Sequence, residues 1–129
     1  KAMAQQHELP GWVWAGLRND VPSLMKGSTV LALSSHREGF SRVIVEAWAS
    51  GLPVVATRQG GPAELIAHGD NGWLVAPNNI AELADGLGRL MADPALAQKL
   101  HNRGMKTAQQ FTLDQMAGKT FDLYQALTA

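Results

Sequence analysis

Short apolar runs separate the helical patterns in the first part of the chain. These runs predict strands at residues 12–15, 29–33, Val54–Thr57 and Trp73–Val75. The run over 29–33 reads as apolar throughout, which is typical of a strand buried on both faces. Because strands and helices alternate at short intervals, the pattern predicts an α/β fold, with a parallel sheet that carries helices on both faces.

Helical periodicity and helix-start residues define the remaining elements. Asp20 is expected to be the N-cap of a short helix, and Pro22 is tolerated in the first turn of that helix. Asp93 and Pro94 break the long helical pattern of the second half of the chain. The predicted helices cover residues 1–9, Val21–Lys26, about 41–50, 62–67, 80–91, 95–110 and 113–127.

Composition narrows the function classes. The 129 residues allow one domain, and 11 basic against 11 acidic residues leave no net field that would favour nucleic acid. No cysteine is present, so disulfide and thiolate chemistry are excluded. No apolar run approaches the roughly 18 residues of a membrane-spanning helix, and the sequence predicts a cytoplasmic protein. The histidines show no metal-ligand spacing, so we expect no metal site.

The stretch 34–47 carries the candidate chemistry, because it leads from the end of a predicted strand into a helix. Gly39 allows the backbone to turn or to approach a ligand closely, and Ser41 is a good N-cap. The N–H groups and the positive dipole end at such a helix start suit a phosphate or sugar hydroxyls. Glu38 and Glu46 flank this point with seven residues between them. Ligands of parallel sheets bind beyond the carboxyl ends of the strands, where this stretch begins.

This stretch resembles the E-x7-E signature of the retaining nucleotide-sugar glycosyltransferases of family 4, which have the GT-B fold. Glu-Gly-Phe-Ser at 38–41 opens the match, and Glu46 and Ala47 close it. The resemblance continues in the family's order through 49–57, 60–66 and 71–77. It implies transfer of a hexosyl group from a nucleotide diphosphate sugar, such as a UDP- or GDP-hexose, to an acceptor hydroxyl with the anomeric configuration kept. The resemblance implies no cofactor, no metal and no protein nucleophile.

The resemblance also implies roles for particular residues. Glu38 is the catalytic candidate and faces the hydroxyls of the donor sugar. Glu46 accepts hydrogen bonds from both ribose hydroxyls of the nucleotide, a role that suits a carboxylate because its two oxygens accept in parallel. The N–H groups around Gly39, Phe40 and Ser41 hold the sugar and the distal phosphate.

The residues alone leave other interpretations open. Arg42 and Glu46 are one helical turn apart, as in an exposed ion pair of little energetic value. Arg18 lies in a region that is near the nucleobase in relatives, yet a solvated loop arginine fits equally well. Paired carboxylates also serve glycoside hydrolases, although those enzymes place the pair across the scissile bond. A non-catalytic nucleotide-sugar binding or interaction module would keep Glu46 and lose turnover.

The resemblance further implies that residues 1–129 form the C-terminal donor-binding domain of a GT-B protein, incomplete on its N-terminal side. Two strand-helix units would precede Trp12, and the strand order 3-2-1-4-5-6 would leave two empty positions beside the run 29–33. We therefore expect 29–33, Val54–Thr57 and Trp73–Val75 to form a contiguous parallel sheet. The Trp12 strand would be detached, paired directly with 29–33, or completed by another chain or by further residues of the protein.

The expected partners follow from the same resemblance. They are the nucleotide sugar and a sugar, lipid-linked or other glycan acceptor, with no nucleic acid. The full-length protein is expected to be peripheral at the inner membrane face. The bare edge of the run 29–33 is a template for self-association.

Overall fold

The computed structural model describes residues 10–128, so the helix predicted over residues 1–9 lies outside the described part of the chain. None of the described helices is long and apolar enough to cross a membrane. The strands are β1 (Leu31–Leu33), β2 (Val54–Thr57) and β3 (Trp73–Val75). The helices are α1 (Val21–Lys26), α2 (Arg42–Ala49), α3 (Gly61–Leu65), α4 (Ile80–Ala92), α5 (Pro94–Ala108) and α6 (Leu113–Thr128), with a 3₁₀ turn at Gln109–Phe111.

The three strands form one parallel sheet in the order β1-β2-β3. Leu31 is opposite Val54 in the first ladder, and Val55 is opposite Trp73 in the second. All residues of β2 are buried, because this strand has a neighbour on each side and helices on both faces. The predicted contiguous sheet and the predicted α/β class are therefore confirmed.

The central strand divides the core into two clusters, because successive strand residues point to opposite faces of the sheet. Val54 belongs to the cluster that contains Trp48 of α2. Val55 belongs to the other cluster, with Leu90 of α4 and Leu100 of α5. The fully buried Trp48 ring holds α2 against the sheet, so the start of this helix has a fixed position beyond the end of β1.

β1 differs from its prediction in length and burial. The strand begins at Leu31 rather than at residue 29, Ala32 is exposed, and Leu31 and Leu33 are only half-buried. The expectation of a strand buried on both faces was wrong, because within residues 10–128 only β2 pairs with β1 and its outer side has no cover. The outer edge of β1 is bare within this part of the chain.

The strand predicted at residues 12–15 is not formed, and the backbone there is irregular. The rings of Trp12 and Trp14 are more than half exposed and pack edge to face, with their centroids 5.6 Å apart. A strand needs a neighbour that satisfies its N–H and C=O groups. Since no described segment pairs with residues 12–15, this segment is detached from the sheet, which is one of the expected arrangements.

Candidate functional site

Two loops meet in backbone contact beyond the ends of β1 and β2. The first, the site loop, comprises residues 38–41, and the second is the glycine pair Gly60-Gly61. The N–H of Gly61 donates to the carbonyl oxygen of Glu38 over 3.2 Å. A Cβ at Gly60 would overlap that oxygen, and a Cβ at Gly61 would overlap the carbonyl oxygen of Gly39. Gly60 also has a φ of 61°, which favours glycine. Only residues without a side chain fit this contact.

Further hydrogen bonds join the strand ends beneath the site loop. The hydroxyl of Thr57, the last residue of β2, donates to the carbonyl oxygen of Ser35 over 2.7 Å. The N–H of Arg58 donates to the carbonyl oxygen of Val75 at the end of β3 over 2.8 Å. The carboxyl ends of all three strands are therefore tied together, and the site loop is built on a rigid edge of the sheet.

A cavity of about 660 Å³ opens at this edge. Its lining residues come from the ends of all three strands and from the start of α4. They include Ser34, His36, Thr57, Val75 and Asn79. This is the position at which open α/β sheets bind ligands.

Ser41 does not cap α2 in the predicted way. It occupies the N-cap position, but its side chain accepts no hydrogen bond from the helix, and its φ of 58° and ψ of 59° are left-handed. The hydroxyl oxygen is buried and has no partner within the described residues. The first N–H groups of α2 therefore have no side-chain acceptor from Ser41, which leaves them to another acceptor.

The backbone bends at Gly39 as expected, but the bend does not need a glycine. Its φ is outside the left-handed range, and a Cβ on it would meet nothing within 4 Å. The chain reversal therefore does not require glycine at this position. The second part of the expectation, close approach of a ligand, stays a prediction, and the space beside the residue is open.

The carboxylates of Glu38 and Glu46 have no side-chain partner among the described residues. Glu38 is half-buried and Glu46 is exposed on α2. Neither makes a side-chain hydrogen bond or an ion pair within residues 10–128, and the ion pair between Arg42 and Glu46 is not formed. Both acids stay available for donors on a ligand.

Arg18 is not brought together with these acids. Its guanidinium binds Asp20 in a fork, with Nε to Oδ1 at 2.8 Å and Nη2 to Oδ2 at 2.7 Å. This hydrogen bond lowers the pKa of the Asp20 carboxyl, and it also explains why Asp20 does not cap α1 with its side chain. The structure places Arg18 as an exposed loop residue paired with its own neighbour.

Phe111 is a neighbour of the site loop that the sequence analysis did not find. Its ring packs on that of Phe40, with a centroid distance of 5.4 Å and an interplanar angle of 59°. Both rings line a cavity of about 380 Å³ beside the start of α6. The one signal in the sequence is an aromatic residue at the junction between two predicted helices, which alone indicates no particular partner.

Comparison with known proteins places this geometry in a family. The family model "Glycosyl transferases group 1" matches residues 1–107. The chain belongs to this family.

Within residues 10–128, no group of three His, Cys, Asp or Glu side chains is arranged to hold a metal ion.

Two curated relatives show the similarity of this group 1 chain to enzymes of known name. The chain is 35% identical over 107 residues to the D-inositol 3-phosphate glycosyltransferase of Streptomyces bingchenggensis. This alignment covers 83% of the chain and 24% of the relative. The chain is 30% identical over 113 residues to the N-acetyl-alpha-D-glucosaminyl L-malate synthase of Bacillus anthracis. This alignment covers 87% of the chain and 30% of the relative. The chain thus spans less than a third of the length of these proteins.

Solved structures agree with the group 1 assignment. The crystal structure of Anabaena Alr3699/HepE in complex with UDP superposes with a TM-score of 0.90 at 31% identity, over 97% of this chain and 35% of that chain. The complex of the same protein with UDP-glucose gives a TM-score of 0.89. The parallel sheet and its helices therefore match the C-terminal Rossmann-like domain of GT-B glycosyltransferases.

Because the glycine pair and the site loop are in backbone contact, a single methyl group added at Gly61 should destabilise the fold. Gly61→Ala should lower the free energy of unfolding by about 1–3 kcal/mol, the usual cost of overpacking, because a backbone carbonyl cannot rotate away as a side chain can. Urea denaturation measures this change.

Gly39→Ala is the matched control for this prediction. It adds the same methyl group on the other side of the contact, where nothing lies within 4 Å. Its free energy of unfolding should stay within about 0.5 kcal/mol of that of the unmodified protein. Equal losses at both positions would contradict the packing described here.

Proposed function

We propose that this chain is the donor-binding portion of a retaining glycosyltransferase, which moves a hexosyl group from a nucleotide diphosphate sugar to an acceptor hydroxyl. One observation carries the proposal. Glu38 and Glu46, whose carboxylates have no partner within residues 10–128, flank a helix start that is fixed by backbone contact at the carboxyl ends of the strands. The Anabaena protein, which has the same fold, was solved with UDP and with UDP-glucose.

The start of α2 is the proposed binding site of the distal phosphate and the sugar. Its first N–H groups have no side-chain cap, and they lie at the positive end of the helix dipole. The N–H groups around Gly39, Phe40 and Ser41 belong to the same turn, and the space beside Gly39 is open. An anionic diphosphate would supply the acceptors that this helix start lacks.

Glu46 is the proposed ligand of the ribose. It lies about one turn inside α2 on the exposed side, while Ala47 and Trp48 occupy the buried side. A carboxylate accepts two hydrogen bonds in parallel from neighbouring hydroxyls, and such charge-assisted bonds are strong. Glu46 forms no ion pair with Arg42. Within the described residues, therefore, no side-chain donor competes with a ligand for this carboxylate.

Glu38 is the proposed ligand of the donor sugar, and its backbone is fixed by Gly61. In the proposed reaction, the bond from the anomeric carbon to the diphosphate oxygen breaks, and the bond to the acceptor oxygen forms on the same face. The acceptor proton passes to the leaving diphosphate, whose growing charge is stabilised by the donors at the helix start. No protein nucleophile, cofactor or metal takes part in this scheme.

Several wider features belong to the proposal rather than to the family assignment. We infer that the chain forms part of a donor domain, with the bare edge of β1 paired by a strand from elsewhere in the full-length protein or by a second copy. The acceptor is a sugar, a lipid-linked sugar or another glycan. The proposed location is cytoplasmic and peripheral to the inner membrane face, and Arg18 is the proposed contact near the nucleobase.

The anomeric configuration of the product tests the reaction class. The full-length protein is first screened by thermal shift with UDP- and GDP-hexoses, and the product of the donor that binds is then examined by NMR. We expect an α-linked donor to give an α-linked glycoside. Release of free sugar to water would favour a hydrolase, and binding without turnover would favour a non-catalytic module.

Glu46→Ala should weaken the binding of UDP or GDP by about 1–3 kcal/mol, because charge-assisted hydrogen bonds to the ribose are lost. The melting temperature should barely change, since the side chain is exposed. Calorimetry on the full-length protein measures the affinity. Asp122→Ala, which removes an exposed acid from α6, is the control and should leave binding unaltered. A large drop in melting temperature with normal affinity would make Glu46 a structural residue.

Glu38→Gln should lower kcat while leaving the affinity for the free nucleoside diphosphate unchanged, because its proposed partner is the sugar. The amide keeps the size of the side chain and removes its charge, so the backbone contact with Gly61 should persist. Steady-state kinetics and calorimetry on the same variant separate the two quantities. Preserved turnover at saturating donor, with equal losses for free nucleotide and sugar nucleotide, would contradict this role.

A further inference from the structure

We propose that Phe111 is a positioning residue for the site loop, which it holds through the ring of Phe40. The inference rests on the proposed function, since the loop is part of the proposed binding site for the distal phosphate of the nucleotide and for the donor sugar. The two rings pack in a tilted arrangement with a centroid distance of 5.4 Å, a geometry in the attractive range for aromatic pairs. The contact joins the site loop to the junction between α5 and α6.

The site loop needs such restraints because its backbone is strained. Ser41 is left-handed, with a φ of 58°, and its buried hydroxyl has no partner within the described residues. Strained backbone persists only where its surroundings fix it in several ways. The glycine pair fixes Glu38 and Gly39 on one side of the loop.

Phe40 is the neighbour of Ser41 in the chain, and the ring of Phe111 packs on the ring of Phe40 as a second restraint on the loop. The two rings are 53% and 38% exposed, so neither belongs to the buried core. Removal of the Phe111 ring should therefore affect the loop much more than the stability of the fold. This separation makes a positioning role distinguishable from a structural one.

The same contact links the loop to α6. Leu113 and Met116 of α6 line the cavity that the two phenylalanine rings share. Because Phe111 ends the 3₁₀ turn that leads into α6, the position of this helix sets the position of the ring. The geometry of the donor site thus depends on where α6 begins.

The test compares Phe111→Ala with Phe111→Tyr in the full-length protein, using UDP and GDP as probes in calorimetry and amide hydrogen exchange in the unliganded protein. We expect Phe111→Ala to weaken binding by about threefold to tenfold, the equivalent of one aromatic pair. Exchange of the amides of residues 38–42 should become faster, with little change in the melting temperature. Phe111→Tyr keeps the ring and should restore both properties.

Met105→Ala is the matched control, because this residue of α5 is 42% exposed, close to the exposure of Phe111, and does not line the shared cavity. Its binding and exchange should equal those of the unmodified protein. Unchanged exchange at 38–42 in Phe111→Ala, or failure of the tyrosine variant to restore it, would overturn the positioning role while leaving the proposed function intact. An unmodified protein that binds neither nucleotide would overturn both.

Discussion

The backbone contact between the glycine pair and the site loop is the constraint on which the rest of the site depends. The N–H of Gly61 binds the carbonyl oxygen of Glu38, and no side chain fits between the two loops. Since one loop follows β1 and the other follows β2, the contact fixes the ends of neighbouring strands against each other. Gly61 also begins α3, and both Gly61 and the next residue, Pro62, are buried. The pairing of β1 with β2 and this loop contact together fix the position of the Glu38 backbone.

A fixed loop explains how the strained start of α2 is maintained. A left-handed residue other than glycine costs roughly 1–2 kcal/mol, and Ser41 regains nothing from side-chain capping. The cost is offset by the packing around it, chiefly the buried face of α2 with Ile44 and Trp48. The result is a helix start whose N–H groups are held in place before a ligand arrives. Such preorganisation reduces the entropy lost on binding.

Local sequence patterns predicted the helices and strands of this fold well. Contacts between segments that are distant in the chain were harder to predict from the sequence. β2 and β3 were predicted to the residue, because their apolar runs lie between clear turn residues. Residues 12–15 have an equally apolar pattern, but strand formation depends on a partner edge that no sequence window contains. The left-handed conformation of Ser41 could not be predicted from the sequence, because serine is common at ordinary N-caps. Phe111 was missed because its contact with Phe40 joins residues far apart in the chain.

For the proposed function, the candidate site thus has a part that is already formed and a part that would have to rearrange. Glu38 and Glu46 have no partner within the described residues and need no bond broken before they bind a ligand. Arg18 is held by Asp20, and in the proposed role near the nucleobase it would have to leave this ion pair. The pair is exposed, and exposed pairs contribute little, so opening it is a small obstacle. Under the proposed function, affinity for the diphosphate and ribose should therefore depend on the rigid strand ends, while selection among bases should depend on the loop that carries Arg18.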